Sequence, residues 1–270
     1  MQVVFLRTST ATVGLGLWLL LRNREALKIK PQDIWCFLGT GLFSLLFFNW
    51  CLYEAISRSG LAVSAVLLYT APAFVAILSA WLFKEKLSLP RCVILAFVLL
   101  GCTLVSGITG VTNVSIGGVL FGLGSGLGYA LYSIFGRYAL NREYKPQTIA
   151  FYTFSFCAVG SGLLSLIFTD TADLSTPITN PSVWLLTLTL GTVGCLFPYL
   201  LYTKGLENVT GAQASMTATP EPVVAALLGI LIYHETMSAW QITGAVLILG
   251  SILLLSLSTE NSQQKNNENL

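Results

Sequence analysis

The residue whose surroundings most suggest chemistry is Glu221, which lies between Pro220 and Pro222 in the segment TATPEPVVAALLGILIYHETMS (217–238). The residues after it are apolar enough to lie in a membrane, where a charge at the centre of a lone helix costs about 2.5–3.5 kcal/mol. Glu221 must therefore face a cavity or a partner. Because proline breaks helices, we predict a break at 219–222. The carboxylate could bind a substrate ammonium group or a proton; the alternative is a structural glutamate satisfied by a neighbouring helix.

Other polar side chains inside apolar segments could line a pathway with Glu221. Asn49 and Tyr53 are four residues apart, a spacing that places them on one helix face. The full set of candidates is Gln213, Asn49, Tyr53, Tyr69, Tyr129 and Tyr132. Each could instead form an interhelical hydrogen bond or belong to an interfacial aromatic belt. Arg7 could bind a carboxylate, but extension of its side chain to the lipid headgroups is the favoured reading.

Catalytic and metal-binding residue patterns are missing from the sequence. The one histidine, His234, has no nucleophile at a suitable spacing, so we expect no enzyme activity, no cofactor and no metal site. The six cysteines form no C-x-x-C pair and are expected to be buried, inert thiols. The glycine-rich segment 117–136 lacks a phosphate-loop motif. Its glycines at 118, 122 and 126 instead predict close helix packing.

Composition indicates a polytopic membrane protein that is entirely α-helical. Of 270 residues, 54% are hydrophobic and 10% charged, whereas soluble domains carry about 25% charged residues. A membrane helix needs about 20 mostly apolar residues. Nine segments qualify: 3–21, 34–56, 61–83, 91–108, 116–139, 148–168, 183–203, 211–233 and 240–257. The polar tail 258–270 is predicted to be disordered.

The distribution of basic residues predicts the orientation in the membrane. Most of the 14 Lys and Arg residues lie in the tail and in the linkers after the first, third, fifth and seventh segments. The positive-inside rule then places the C-terminus in the cytoplasm. We expect a multi-pass protein of the plasma membrane, or of the inner membrane in a bacterium, that binds no nucleic acid. A coupling proton and a homodimer are both compatible with the sequence.

The chain contains an internal repeat at an offset of 150 positions. SAVLLYTAPAFVAILSAWLFKEKLS (64–88) aligns without a gap with ASMTATPEPVVAALLGILIYHETMS (214–238), which matches Pro72 with Pro222 and Glu85 with Glu235. These four residues are read as a structural motif. The two segments cross the membrane in opposite directions, so the repeat is inverted, as in many secondary transporters. The first half is one helix short of the second, so a tenth, N-terminal helix is expected to be missing, through truncation or a late start site.

The blocks LYTAPAFVAILSAWLFKEKLS and TPEPVVAALLGILIYHETMSAWQITGAVLILGSILL resemble the EamA-like branch of the drug/metabolite transporter (DMT) superfamily. The resemblance implies a ten-helix bundle of two inverted five-helix halves, of which this chain has nine helices. The first repeat, incomplete with four helices, would be 1–108 and the second 116–257.

The resemblance also implies a secondary transporter that exports small polar metabolites such as amino acids. Two halves would rock about a central site. A lipophilic-cation efflux pump and a truncated, non-transporting chain are the alternatives.

Overall fold

The computed structural model describes residues 1–85, 89–105, 115–168, 181–233 and 238–268, and this part of the chain is helical without a strand. Two π-helical stretches, named π1 and π2, interrupt the α-helices. In chain order the α- and π-helical elements are α1 (Gln2–Arg22), α2 (Ile34–Leu38), π1 (Gly39–Leu46), α3 (Phe47–Leu68), α4 (Ala71–Phe83), α5 (Leu89–Val105), α6 (Ile116–Leu140), α7 (Pro146–Phe168), α8 (Pro181–Gly191), π2 (Thr192–Leu196), α9 (Phe197–Gly205), α10 (Gly211–Thr217), α11 (Glu221–Tyr233) and α12 (Ala239–Glu268). Two short 3-10 helices, Arg24–Leu27 and Pro31–Asp33, lie between α1 and α2.

Among the described residues, five helical stretches are long and apolar enough to cross a membrane: Gln2–Arg22, Pro31–Leu68, Ile116–Leu140, Pro146–Ile167 and Val183–Gly205. Three shorter apolar helices cover Ala71–Phe83, Leu89–Val105 and Ala239–Leu254. Large apolar side chains are exposed on several of these helices, among them Leu21, Trp81, Ile116, Leu185 and Leu231. Exposed apolar surface on this scale needs a partner or a lipid environment. The prediction of an all-helical polytopic membrane protein is confirmed.

Two predicted spans are broken helices, and the breaks occupy equivalent positions. The chain turns at Gly60, just before the third span, with a φ of 79°. Within that span α3 and α4 are separated at Tyr69 and Thr70. In the eighth span α10 ends at Thr217 and α11 begins at Glu221. The bounds of α4 and α11 coincide at the 150-residue offset of the sequence repeat, and each helix has a proline, Pro72 or Pro222, as its second residue.

The π-helical stretches also correspond between the halves. Shifted by 150 positions, π2 falls within π1. Well under 1% of residues in proteins are π-helical, so a coincidence in position is informative. A π-helical stretch has more residues per turn than an α-helix. It therefore rotates the side chains that follow it relative to those that precede it. The helices that follow, α3 and α9, carry Asn49 and Tyr199 in corresponding positions.

Contacts divide the chain into two compact units. Unit 1 consists of Met1–Cys51 and Gly128–Val209, and unit 2 of Leu52–Leu127 and Thr210–Leu270. In unit 1, α1 packs along α7 around a core that includes Leu15, Leu19 and Phe154. In unit 2, α5 packs along α12 around a core that includes Val98 and Ile248.

Glycines permit close helix packing in unit 2, as the sequence predicted for 118, 122 and 126. A side chain on any of these glycines would collide with the chain between residues 59 and 70. The contacts that a Cβ would meet are Ser59 for Gly118, Leu67 for Gly122, and Thr70 with the Leu67 carbonyl for Gly126. The packing interpretation of the glycine-rich segment is therefore confirmed.

Two sequence predictions differ from the structure. The helix α12 continues to Glu268 through the tail that was predicted to be disordered. A helix that is already nucleated in the apolar segment can propagate at low cost, and Glu, Gln and Lys are adequate helix formers. The second difference is Cys92, which is exposed, whereas the other five cysteines are buried. An apolar segment of a membrane protein has an outer face, so an apolar neighbourhood in sequence does not ensure burial.

A cluster of polar side chains joins the linker after α1 to the linker after α6 within unit 1. Arg142 Nε lies 2.9 Å from Asp33 Oδ1, and the Tyr144 hydroxyl donates to Asp33 Oδ2 at 2.8 Å. The Arg142 guanidinium also stacks over the Trp35 ring at 5.0 Å. Asp33 is buried, so these two donors are what compensates its charge.

We expect Asp33→Asn to lower the free energy of unfolding by about 1–2 kcal/mol, because charged hydrogen bonds of this kind contribute about 1.5–3 kcal/mol. Thermal unfolding of the detergent-purified protein measures the change. Glu25→Gln is the matched control, since it removes the partner of Lys28 from a pair whose side chains are 72% and 80% exposed. Exposed pairs contribute little. Equal melting temperatures for the two variants would contradict the expectation.

Candidate functional site

Glu221 lies at the broken helix of the eighth span. Residues 218–220 form a turn between α10 and α11, which confirms the break predicted at 219–222. The Met216 carbonyl accepts hydrogen bonds from the Thr219 backbone N–H at 3.1 Å and from its hydroxyl at 2.5 Å. These bonds satisfy a carbonyl that the break would otherwise leave free.

The Glu221 side chain is exposed and lies in the first turn of α11. The N-terminal turn of a helix favours a negative charge by about 0.3–1 kcal/mol. Among the described residues, no hydrogen bond or ion pair reaches the carboxylate. The alternative considered from the sequence was a structural role for Glu221, with its carboxylate bound by a neighbouring helix. The described part of the chain contains no residue that binds the carboxylate in this way.

Tyr69 comes from the corresponding break in the first half and lies near Glu221 in unit 2. Tyr69 and Cys102 are both close enough to the carboxylate to interact with it electrostatically. Tyr69 is half-buried and packs against the core between α5 and α12. The two broken helices therefore bring one carboxylate and one phenol together.

The predicted site residue Gln213 has a local role in helix capping. Its side-chain oxygen accepts hydrogen bonds from the backbone N–H and the hydroxyl of Thr210, both at 3.1 Å. The Thr210 hydroxyl in turn accepts from the Gln213 backbone N–H at 3.3 Å. This reciprocal capping box starts α10 and stabilises the short half-helix that leads to the break.

Asn49 and Tyr53 do not share one environment, although the sequence spacing placed them on one face. Asn49 is 2% exposed, whereas Tyr53 is 40% exposed. The Asn49 Nδ2 donates to the Leu45 carbonyl at 2.7 Å, and its Oδ1 accepts from Arg7 Nη2 at 2.6 Å. The expectation that Arg7 extends to the lipid headgroups is wrong, because its guanidinium is directed to this buried amide.

Tyr129 and Tyr132 belong to an aromatic cluster in unit 1. The rings of Tyr132 and Tyr199 meet edge to face, with centroids 4.9 Å apart, and Tyr129 makes a similar contact with Phe48 at 5.7 Å. The Thr203 hydroxyl donates its proton to the Tyr199 carbonyl. Thr203 Oγ1 therefore accepts a hydrogen bond from the buried Tyr132 hydroxyl, which lies 2.6 Å away. Such contacts fix the orientation of the rings.

Of the two structural-motif glutamates, the structure describes Glu85, which is at a helix end. Glu85 follows the end of α4, where Lys84 adopts a left-handed conformation with a φ of 54°. The Glu85 backbone N–H points back to the Ser79 carbonyl at 3.4 Å, as in a helix C-cap. Its counterpart Glu235, like His234, lies outside the described residues.

Comparison with known proteins identifies the family. The model of the EamA-like transporter family matches residues 1–107 and 116–257. The chain belongs to the EamA-like transporter family. This membership makes it a membrane transporter of the DMT superfamily.

Relatives of this EamA-like transporter carry the same general description. An uncharacterized transporter of Archaeoglobus fulgidus is 30% identical over 200 residues, which are 74% of this chain and 68% of the relative. The uncharacterized transporter YxxF of Bacillus subtilis is 26% identical, over 94% of this chain and 80% of the relative. A crystal structure with 18% identity covers 94% of this chain and 88% of its own, with a TM-score of 0.76. The likeness to this crystal structure supports the helical fold described above.

The predicted pathway residues of this EamA-like transporter are distributed over both units. Glu221 and Tyr69 come together in unit 2, and Asn49, Tyr129 and Tyr132 lie in unit 1. Sequence reasoning missed two features: the hydrogen bond between Arg7 and Asn49 and the position of Tyr199 near Arg7. A usable signal was present for Arg7, because an ionisable residue within an apolar span is a functional candidate by default.

Proposed function

We propose that this protein exports small polar metabolites such as amino acids by alternating access, with Glu221 in the transport pathway. The observation that carries the proposal is an exposed carboxylate at the break of a membrane helix, without a partner among the described residues. A carboxylate in contact with lipid would be costly. One that faces an aqueous pathway can instead bind a substrate ammonium group or a coupling proton.

The two broken helices support a mechanism with two related halves. In secondary transporters, interrupted helices in corresponding positions form the substrate site, and two repeats move against each other. Here α4 and α11 share their bounds at the 150-residue offset, as π1 and π2 nearly do. These coincidences favour the inverted repeat that the sequence predicts. The orientation with a cytoplasmic C-terminus rests on the positive-inside rule.

Counterflow in proteoliposomes tests the proposed substrate class. Vesicles loaded with an unlabelled mixture of amino acids should accumulate labelled amino acids from outside, whereas vesicles without protein should not. A labelled lipophilic cation is assayed in parallel. Uptake of the cation without uptake of any amino acid would favour the efflux-pump alternative and would contradict this proposal.

A further inference from the structure

Neutral side chains lie around Arg7 in unit 1. Its guanidinium lies close enough to the thiols of Cys157 and Cys195, and to the phenol of Tyr199, to interact with each electrostatically. Cys157 is at the midpoint of α7, and Cys195 lies in π2, in the middle of its span. Arg7 is therefore held in the interior of unit 1, away from the ends of these helices.

The charge of Arg7 is poorly compensated. A guanidinium has five N–H donors, and the one side-chain hydrogen bond from Arg7 to a described residue is to the neutral amide of Asn49. Its Nε is buried without a hydrogen-bond partner. The ion pairs described in unit 1 are Lys28–Glu25 and Arg142–Asp33, so no carboxylate in the described part of the chain neutralises Arg7.

Asn49 is oriented by its own helix. Because its Nδ2 donates to the Leu45 carbonyl, its Oδ1 is the atom that faces Arg7. The amide therefore fixes one edge of the guanidinium and leaves other donors available. A carboxylate matches a guanidinium edge with two parallel hydrogen bonds, a geometry that lysine cannot offer.

A rigid wall lies beside the guanidinium. Tyr199 packs edge to face against Tyr132 at 4.9 Å and against Phe154 at 5.4 Å. Tyr132 is itself fixed by its hydrogen bond to Thr203. Aromatic walls beside a charged group reduce access of water and strengthen its attraction for an anion.

We propose that Arg7, oriented by Asn49, binds the carboxylate of the transported metabolite. The inference rests on the proposed function and narrows it, because the solute must then carry a carboxylate. Amines that lack this group, and lipophilic cations, would not use the Arg7 site.

Two substitutions test this role. Arg7→Gln removes the charge, and Asn49→Asp places a carboxylate of the same size beside the guanidinium. Asn49→Asp gives up the hydrogen bond to the Leu45 carbonyl but supplies the missing counter-charge, so the protein should still fold while the site is blocked. A purely structural role for Arg7 predicts no loss of binding in Asn49→Asp. Arg22→Gln, in the last turn of the same helix, is the matched control.

The measurements are counterflow and ligand-induced thermal stabilisation of the purified protein. The probes are amino acids, simple mono- and dicarboxylates, and the matched amines without the α-carboxylate. We expect wild type and Arg22→Gln to prefer the carboxylated probes. Arg7→Gln and Asn49→Asp should bind them about ten-fold more weakly or worse, as the loss of a charged hydrogen-bonded pair implies.

The outcomes separate the two proposals. Absence of amino-acid transport in wild type, together with stabilisation by another carboxylate that is lost in both variants, would reject the proposed substrate and retain the Arg7 site. Amino-acid transport and binding that are unchanged in Arg7→Gln or Asn49→Asp would reject the Arg7 site and retain the proposed function. If no carboxylate stabilises the wild-type protein or is transported by it, the inference is overturned.

Discussion

Glu221→Gln should lower transport of the natural solute by about ten-fold or more while leaving the amount of protein in the membrane unchanged. The substitution keeps the size of the side chain and removes its charge. A hydrogen bond to a charged group contributes about 1.5–3 kcal/mol, and each 1.4 kcal/mol corresponds to a factor of ten. Because the carboxylate has no partner among the described residues, its loss should cost the fold little. Counterflow, normalised to protein content, measures the effect.

The matched control for this prediction is Glu207→Gln. Glu207 is also an exposed glutamate of the second half, but it lies in the connection after α9. Its variant should transport at the wild-type rate. If Glu221→Gln retains full transport at equal abundance, Glu221 is not in the pathway. If it instead fails to accumulate in the membrane, the carboxylate has a structural role that the described contacts do not contain.

Local signals explain which parts of the fold could be predicted from the sequence. The length of the apolar segments follows from the thickness of the bilayer, and the break before Glu221 follows from the missing N–H groups of Pro220 and Pro222. The repeat matched Pro72 with Pro222, and α4 begins after Tyr69 and Thr70, one residue before Pro72. The π-helical stretches have no comparable signal, because they depend on the packing of whole helices.

The candidate site depends on contacts between residues that are far apart in the sequence. The spacing of residues along one helix does not predict such contacts. Arg7 and Asn49 are 42 residues apart, and the favoured interpretation of Arg7 as a headgroup-facing residue considered only its own helix. Gln213 was selected for its polarity within an apolar span, but its oxygen is used in a cap by Thr210. Residue type therefore identified the polar positions, whereas their partners required the structure.

Gly244→Ala should destabilise the protein by about 1–3 kcal/mol, the usual cost of overpacking a core. Gly244 is buried where α12 crosses α5. A Cβ at this position would lie 2.6 Å from the Gly101 carbonyl oxygen and 2.8 Å from the Val105 backbone nitrogen. Backbone atoms cannot rotate away as a side chain can, so the two helices must separate. Thermal unfolding in detergent measures the loss.

Gly250→Ala on the same helix is the control, and its effect should have the opposite sign. A Cβ at Gly250 would meet no atom within 4 Å, and alanine in a helix is favoured over glycine by about 1 kcal/mol. The two substitutions are chemically identical and differ only in what faces the added methyl group. A fall in stability for Gly244→Ala with a rise for Gly250→Ala would therefore establish that α5 and α12 are in backbone contact. Stabilisation by both substitutions would show that these helices are not in close contact at Gly101 and Gly244.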